Sequence, residues 1–357
     1  MKFSALVLKN TLRNKRRTSL TALSLAASLF LLTTLRTVLF ELQAVSVAPQ
    51  SELRLVTRHA VSFTNPLPIA YLEKIKRIPD TTGMKNEVII QKAHRYGFDH
   101  AVRNVGVRLV EVETEDELER AINDKTAMLH FLNEAQNQGK IGLEKWVEAG
   151  KRRGIPTFND AAADVPPVAH LSDYNKMGFD LVCFSGGKGL RGPQCAGLLL
   201  GRKDLIEAAL MNNNPNEDTI GRPLKVGKEE IVGMVVALEL YLKVDHEAQW
   251  KDWEARLDAI DRMVSSVPGV RTGRFVPEVA NHVPHLYLQW DEKAMGLTKA
   301  ECVKQLEDGE PSIICLGGED YKYGLAVTPF MMKPGEEEIV GRRLKEILSV
   351  AAKRQPA

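Results

Sequence analysis

Two hydropathy patterns share this chain of 357 residues. Near the start, Ser19 to Leu35 runs 17 residues without a charge, and Thr37 to Phe40 extends it past Arg36. That length is near the lower limit for a membrane span. From Glu87 onward short apolar runs alternate with amphipathic stretches. Val88–Ile90, Arg108–Val112, Ala127–Leu132, Pro156–Asn159, Asp180–Phe184 and Gly197–Leu200 read as strands. Phe98–Asn104 and Leu143–Arg153 read as helices, and Glu115–Ile122 as an acidic helix start. This βαβ rhythm predicts a mostly parallel sheet covered on both faces. Lys225–Ile260 then forms one long helical tract. Strands at His285–Gln289, Ser312–Cys315 and Leu325–Val327 follow, with helices at Thr298–Leu306 and Gly335–Ala352, as in a smaller α+β domain. The expected divisions are 1–79, 80–245 and 246–357.

Charge sharpens the split. Residues 1–77 carry 12 Lys+Arg and 3 Asp+Glu, or +9; the remainder carries 36 and 43, or −7, which together give the formal +2. None of the 26 glycines precedes Gly83. The chain reads as two sequences joined near Pro79. Lys9, Arg13, Lys15, Arg16 and Arg17 crowd the front of the apolar stretch and predict a cytoplasmic N-terminus with residues 19–40 in a membrane. A cleaved signal peptide and a buried soluble helix are the competing readings. The acidic second part argues against a nucleic-acid partner. Its four cysteines contain no CxxC pair, so no metal site is signalled, and they read as isolated thiols of a cytosolic enzyme.

The chemistry concentrates where predicted strands end, the place ligands take in parallel sheets. Phe184-Ser-Gly-Gly-Lys-Gly-Leu-Arg-Gly-Pro-Gln194 sets Lys188 in a glycine-dense loop. Glycine lets a backbone approach a ligand closely, and a partly desolvated lysine forms a Schiff base with an aldehyde. Ser185 can place a hydroxyl on a phosphate. Asp160, 28 residues upstream, ends a strand; its carboxylate can pair with a protonated pyridine nitrogen or act as a helix N-cap. Ala162 is small enough to pack against a flat ring.

Asp160 through Leu205, DAAADVPPVAHLSDYNKMGFDLVCFSGGKGLRGPQCAGLLLGRKDL, resembles the cofactor core of selenocysteine-synthase-like pyridoxal-phosphate enzymes. The similarity is strongest to the D-glucosaminate-6-phosphate ammonia-lyase type, and DTTGMKNEVIIQKAHRYGFDHAVR, GRPLKVGKEEIVGMVVALELYL and TPFMMKPGEEEI fit the same branch. The resemblance implies an α/β chain of the aspartate-aminotransferase fold (fold type I), with pyridoxal 5'-phosphate as cofactor. It implies a lyase or transferase that abstracts an α-proton and eliminates or replaces a β-substituent on an amino acid or amino-sugar acid. By the same carry-over, Lys188 is the Schiff-base lysine and proton shuttle, Asp160 the partner of the ring nitrogen, Ser185 a phosphate contact, and His94 a stack on the ring. Arg222 and Lys225 either hold an anionic substrate group or form a helix-start charge cluster. A homodimer or higher oligomer and a cytoplasmic location belong to the same expectation.

Residues 1–79 resemble instead the first span and following segment of macrolide-export and lipoprotein-release type ABC-transporter permeases. In the enzyme family that region is longer and holds a glycine-containing helix start that cradles the cofactor phosphate. A cytoplasmic N-terminus with one span also places the remainder outside the cytoplasm. The sequence alone therefore reads as a chimera joined at Ile78-Pro79-Asp80, with an inactive membrane-anchored remnant or a permease fragment as the alternatives to an enzyme.

Overall fold

The computed structural model describes residues 81–217, 219–317 and 324–353. The expected span at 19–40 and the permease-like segment lie outside the described residues. Among the described residues no helix is long and apolar enough to cross a membrane. Residues 78–357 form a compact unit of their own.

A six-stranded sheet organises its first part: β1 (Glu87–Gln91), β2 (Arg108–Val112), β3 (Thr126–Leu132), β4 (Thr157–Asp160), β5 (Leu181–Ser185) and β6 (Gly197–Gly201). The strand order is β2-β1-β3-β4-β5-β6. β1 to β5 are parallel, and β6 closes the edge antiparallel to β5. Every residue of β1 is buried, which suits a parallel strand covered on both faces.

The order explains where the site forms. From β1 the chain moves outward to β2, then returns past β1 and runs the other way through β3, β4 and β5. Right-handed crossovers then put the β1–β2 connection on one face and all later ones on the other. Helices α1 (Glu115–Ala121), α2 (Leu143–Arg153) and α3 (His170–Met177) occupy that second face. There Leu129, Phe131, Val182 and Phe184 pack against Trp146, Val147 and Tyr174 in one core. The first face receives residues 92–107. The reversal falls between β1 and β3, a topological switch point.

Local signals set the helix ends. Thr114 accepts the Glu117 amide at 3.3 Å and three acids fill the first turn of α1. Gly154, at φ 64°, ends α2 in the left-handed conformation.

The long tract after Lys225 is two helices, α5 (Lys228–Lys243) and α6 (His246–Val264), preceded by α4 (Lys203–Met211). The break comes at Val244, and the Asp245 carboxylate accepts the Ala248 amide at 2.9 Å to start α6. Beyond it lies a four-stranded antiparallel sheet, order β7-β8-β10-β9, from β7 (Arg271–Phe275), β8 (His285–Gln289), β9 (Leu316–Gly317) and β10 (Leu325–Val327). Leu257 and Ile260 of α6, Leu286 and Leu288 of β8, and Leu344 and Leu348 of the closing helix (Glu336–Ala352) build its separate core. The strand expected at Ser312–Cys315 is absent: Ile314 is 85% exposed, and pairing begins only at Leu316. β7 and α3 escaped the sequence reading because RTGRF and HLSDYNKM are mostly polar, and α4 escaped because KDLIEAALM follows β6 with only Arg202 between them.

Candidate active site

The site is built at the carboxyl ends of β4 and β5. In their parallel register Phe158 lies beside Leu181 and Asp160 beside Cys183. Side chains alternate along a strand, so Phe158, Asp160, Leu181, Cys183 and Ser185 share one face, while Val182 and Phe184 enter the core on the other. The Ser185 amide donates to Ala162 O at 3.2 Å and ties the two strand ends together.

The loop after Ser185 folds back on itself: Gly186 N donates to Ala196 O at 2.9 Å and Gly192 N to Gly186 O at 2.7 Å. A Cβ on Gly189 would lie 1.8 Å from Val165 O. One on Gly187 would lie 2.3 Å from the Gln194 side chain. Gly189 therefore lets the loop seat against the chain that follows β4, and Gly187 lets it close over Gln194. Lys188 sits on the outside of this loop, exposed, and among the described residues it makes no ion pair.

Asp160 is richly held. The Tyr96 hydroxyl donates to Oδ2, the Ala162 amide donates to Oδ1 at 3.2 Å, and the Cys183 thiol donates to Oδ1 across 3.6 Å. Burial, then the neighbouring carboxylate, pushes the Tyr96 phenol well above its ordinary range. The same two causes push up the Cys183 thiol. Both groups keep their protons and act as donors. A carboxylate offers about four lone-pair sites; with three donors in place, about one is left.

His130, on β3 beside Phe158, is 1% exposed; burial lowers its pKa and keeps it neutral, while the charge of Asp160 opposes that shift. Deeper, the Asn133 amide donates to Asp164 Oδ1 at 2.7 Å, and the Tyr174 hydroxyl lies 3.4 Å from the same oxygen. Burial raises the Asp164 pKa.

His94 is placed differently from the expected ring stack. Its side chain is fully buried at the switch point. Nδ1 lies 3.2 Å from the Leu132 amide that donates to it, the Gln91 amide is 3.2 Å from Nε2, and Phe131 meets the ring edge-on at 4.5 Å. Burial, reinforced by His130, lowers its pKa to about 4. A ring enclosed in this way pins β1 to β3 and offers no open face. Arg222 is also occupied: Nη1 donates to Asn214 Oδ1 at 2.7 Å and to Pro215 O at 2.8 Å. Lys225 is exposed and, among the described residues, has no ion-pair partner.

The second core reaches the site through residues 328–333. Arg191 donates to Phe330 O and lies over the Phe330 ring at 4.7 Å, and Arg256 donates to Met332 O. Beside Gly189 and Leu190, a cavity of about 190 Å³ is walled by Tyr241, Trp253 and Phe330.

Of the sequence candidates, Asp160, Ala162, Ser185 and Lys188 come together at one end of one strand pair. Tyr96 and the hydrogen-bonding role of Cys183 were missed. Strand parity alone puts Cys183 beside Asp160 once the register is known. Nothing local marks Tyr96, which is 64 residues from its partner.

Comparisons with known proteins agree with this fold. Residues 88–253 match the L-seryl-tRNA selenium transferase family. The chain is 28% identical over 290 residues to D-glucosaminate-6-phosphate ammonia lyase of Salmonella typhimurium, covering 78% of this chain and 75% of that protein. It is 28% identical over 288 residues to 5'-C-glycyluridine monooxygenase-decarboxylase of a Streptomyces species, covering 77% and 70%. The solved structure of D-glucosaminate-6-phosphate ammonia-lyase superposes with a TM-score of 0.65 at 29% identity, covering 77% of this chain and 74% of that one. The chain is thus a homologue of pyridoxal-phosphate-dependent lyases and transferases, with a fold type I-like α/β architecture and a mostly parallel sheet. None of these similarities supports the permease-like reading of residues 1–79.

Proposed function

We propose that this chain uses pyridoxal phosphate to remove an α-proton from a small amino acid or amino-sugar acid, followed by loss or replacement of a β-substituent. One observation carries the reading. Lys188 and Asp160 stand at the same end of adjacent parallel strands, and the Asp160 carboxylate keeps about one lone-pair site beyond its three protein donors. That donor set fits a protonated pyridine nitrogen. When bound, the cofactor supplies an aldehyde that captures an amine and a ring that accepts electrons from a developing carbanion.

The chain's own groups do the rest. Lys188, free of ion pairs among the described residues, would supply the amine and move the α-proton at Nζ; it is exposed, where partial desolvation was expected of it. Asp160 would hold the proton on the ring nitrogen. Ala162 would leave room for the ring, and Ser185 would offer a hydroxyl to the phosphate. With Arg222 bound to its own loop, Lys225 is the better candidate for an anionic substrate group. His94 acts indirectly, by fixing β1 against β3.

A second copy of the chain is the proposed partner. Ile231, Val232, Val235, Val236, Leu240 and Leu242 of α5 are between 47% and 62% exposed. A contiguous apolar face of that kind marks an interaction surface.

Adding pyridoxal phosphate to the purified chain is the test. A visible absorbance band should appear, and borohydride should fix the cofactor to the peptide containing Lys188. Lys188→Ala should show neither. A wild-type chain that takes up no cofactor would overturn the proposal.

A further inference from the structure

We infer that Tyr96 is a positioning residue for Asp160: its hydroxyl, reaching over from the β1–β2 connection, fixes the carboxylate so that its remaining lone pair meets the cofactor's ring nitrogen. The inference rests on the function proposed above.

Tyr96 follows β1 and begins the crossover on the face opposite the main helices. Asp160 ends β4, two strands away in the sheet. The contact between them therefore spans β3 and ties the switch point to the strand pair that carries the lysine loop. Without it, Asp160 would be held on Oδ1 alone, by Ala162 and Cys183, and Oδ2 would lose the partner that fixes the carboxylate plane. The groups facing Asp160 arrive from three elements. Tyr96 comes from the β1–β2 connection, His130 from β3 and Cys183 from β5, with Lys188 beyond Cys183. His130 is neutral, and Tyr96 and Cys183 keep their protons, so Tyr96 and Cys183 are hydrogen-bond donors to the carboxylate and neither is an ion-pair partner.

A hydrogen bond to a charged group that orients it toward a second donor has a definite thermodynamic signature. Removing the Tyr96 hydroxyl should weaken cofactor binding about tenfold, the size expected of a hydrogen bond to a charged group. The loss should depend on the ring nitrogen. A shape or packing defect would weaken binding of any ring.

The test measures dissociation constants of pyridoxal phosphate and of its 1-deaza analogue, which has carbon in place of the ring nitrogen. Wild type, Tyr96→Phe, Asp160→Asn and the double variant are compared by absorbance titration. Tyr96→Phe should weaken the natural cofactor about tenfold and leave the deaza analogue unchanged. In the Asp160→Asn background the Tyr96 change should have little further effect. Equal weakening of both ligands, or full additivity in the double variant, would overturn the inference while leaving the cofactor assignment intact. If wild type bound neither ligand, the functional reading would fall and this inference with it. The contact itself is read in the cofactor-free chain. The resonance of ¹³C-labelled Tyr96 should shift in Asp160→Asn, and an unmoved resonance would refute the hydrogen bond.

Discussion

Gly189→Ala tests whether the lysine loop is held by packing against the chain after β4. The substitution adds one methyl group, whose carbon would sit 1.8 Å from Val165 O and 2.6 Å from its carbonyl carbon. Real Cβ contacts essentially never fall below about 3.0 Å, so one side must retreat by at least about 1.2 Å. Both partners are backbone, which cannot rotate away as a side-chain tip can. Overpacking of this kind costs about 1–3 kcal/mol. For a compact unit of this size each kcal/mol lowers the melting temperature by about 2–4 °C. The functional loss should be larger, since a displacement of about 1 Å at a reacting group costs on the order of 100-fold. Melting by circular dichroism and borohydride trapping at Lys188 give the two readings. Gly97→Ala is the control: nothing lies within 4 Å of its added carbon, so stability should stay within about 0.5 kcal/mol. A Gly189→Ala chain that melts with wild type and traps cofactor at the wild-type rate would refute the argument.

Lys188→Ala should abolish cofactor trapping yet leave the unfolding free energy from urea titration unchanged within about 0.5 kcal/mol, because the side chain is exposed and makes no ion pair among the described residues; a large stability loss would contradict that placement. The folded chain protonates His94 at about 4, below the usual 6.5, so between those values the unfolded chain binds more protons. Stability should therefore fall as pH drops through that window and be unaffected above it. His130 shifts in the same direction, and His94→Gln should flatten part of the slope between pH 7 and 4.5; an unchanged slope would count against a buried neutral His94. Asn133→Leu removes the amide that donates to Asp164 and should destabilise the chain by about 1–3 kcal/mol, read as a lower urea midpoint at constant m-value. Val235→Glu, on the exposed face of α5, should lower the sedimentation coefficient if a second copy covers that face; a value identical to wild type would exclude α5 as the interface.

The parallel sheet was legible because its strands are apolar runs that need no partner to be recognised: Val88–Ile90 and Ala127–Leu132 lie inside β1 and β3. Asp160 and the Ser185–Lys188 loop were legible for a related reason, since both sit where such runs stop. Two of the elements that escaped, β7 and α3, carry polar sequences whose fold comes from neighbours. β7 is a strand because β8 pairs with it, and α3 buries only Tyr174. The α5–α6 break was hidden because no proline or glycine stands at Val244, and only the Asp245 cap marks it. His94 shows the limit of carrying a role from a motif. Its position at the end of β1 was readable, but burial beneath β3 is a property of strand order.

The hydrogen bond from Tyr96 to Asp160 joins residues 64 positions apart and needs β1, β3 and β4 already side by side. Contacts of long sequence separation form late, because loop closure must come first. Helices such as α2 can appear early in folding without creating any part of the acid side of the site. Full affinity for the cofactor should thus emerge only at the last stage of assembly, after most helical signal has been gained. A nascent or half-folded chain would carry the lysine on its loop yet lack the oriented carboxylate proposed to meet the ring nitrogen.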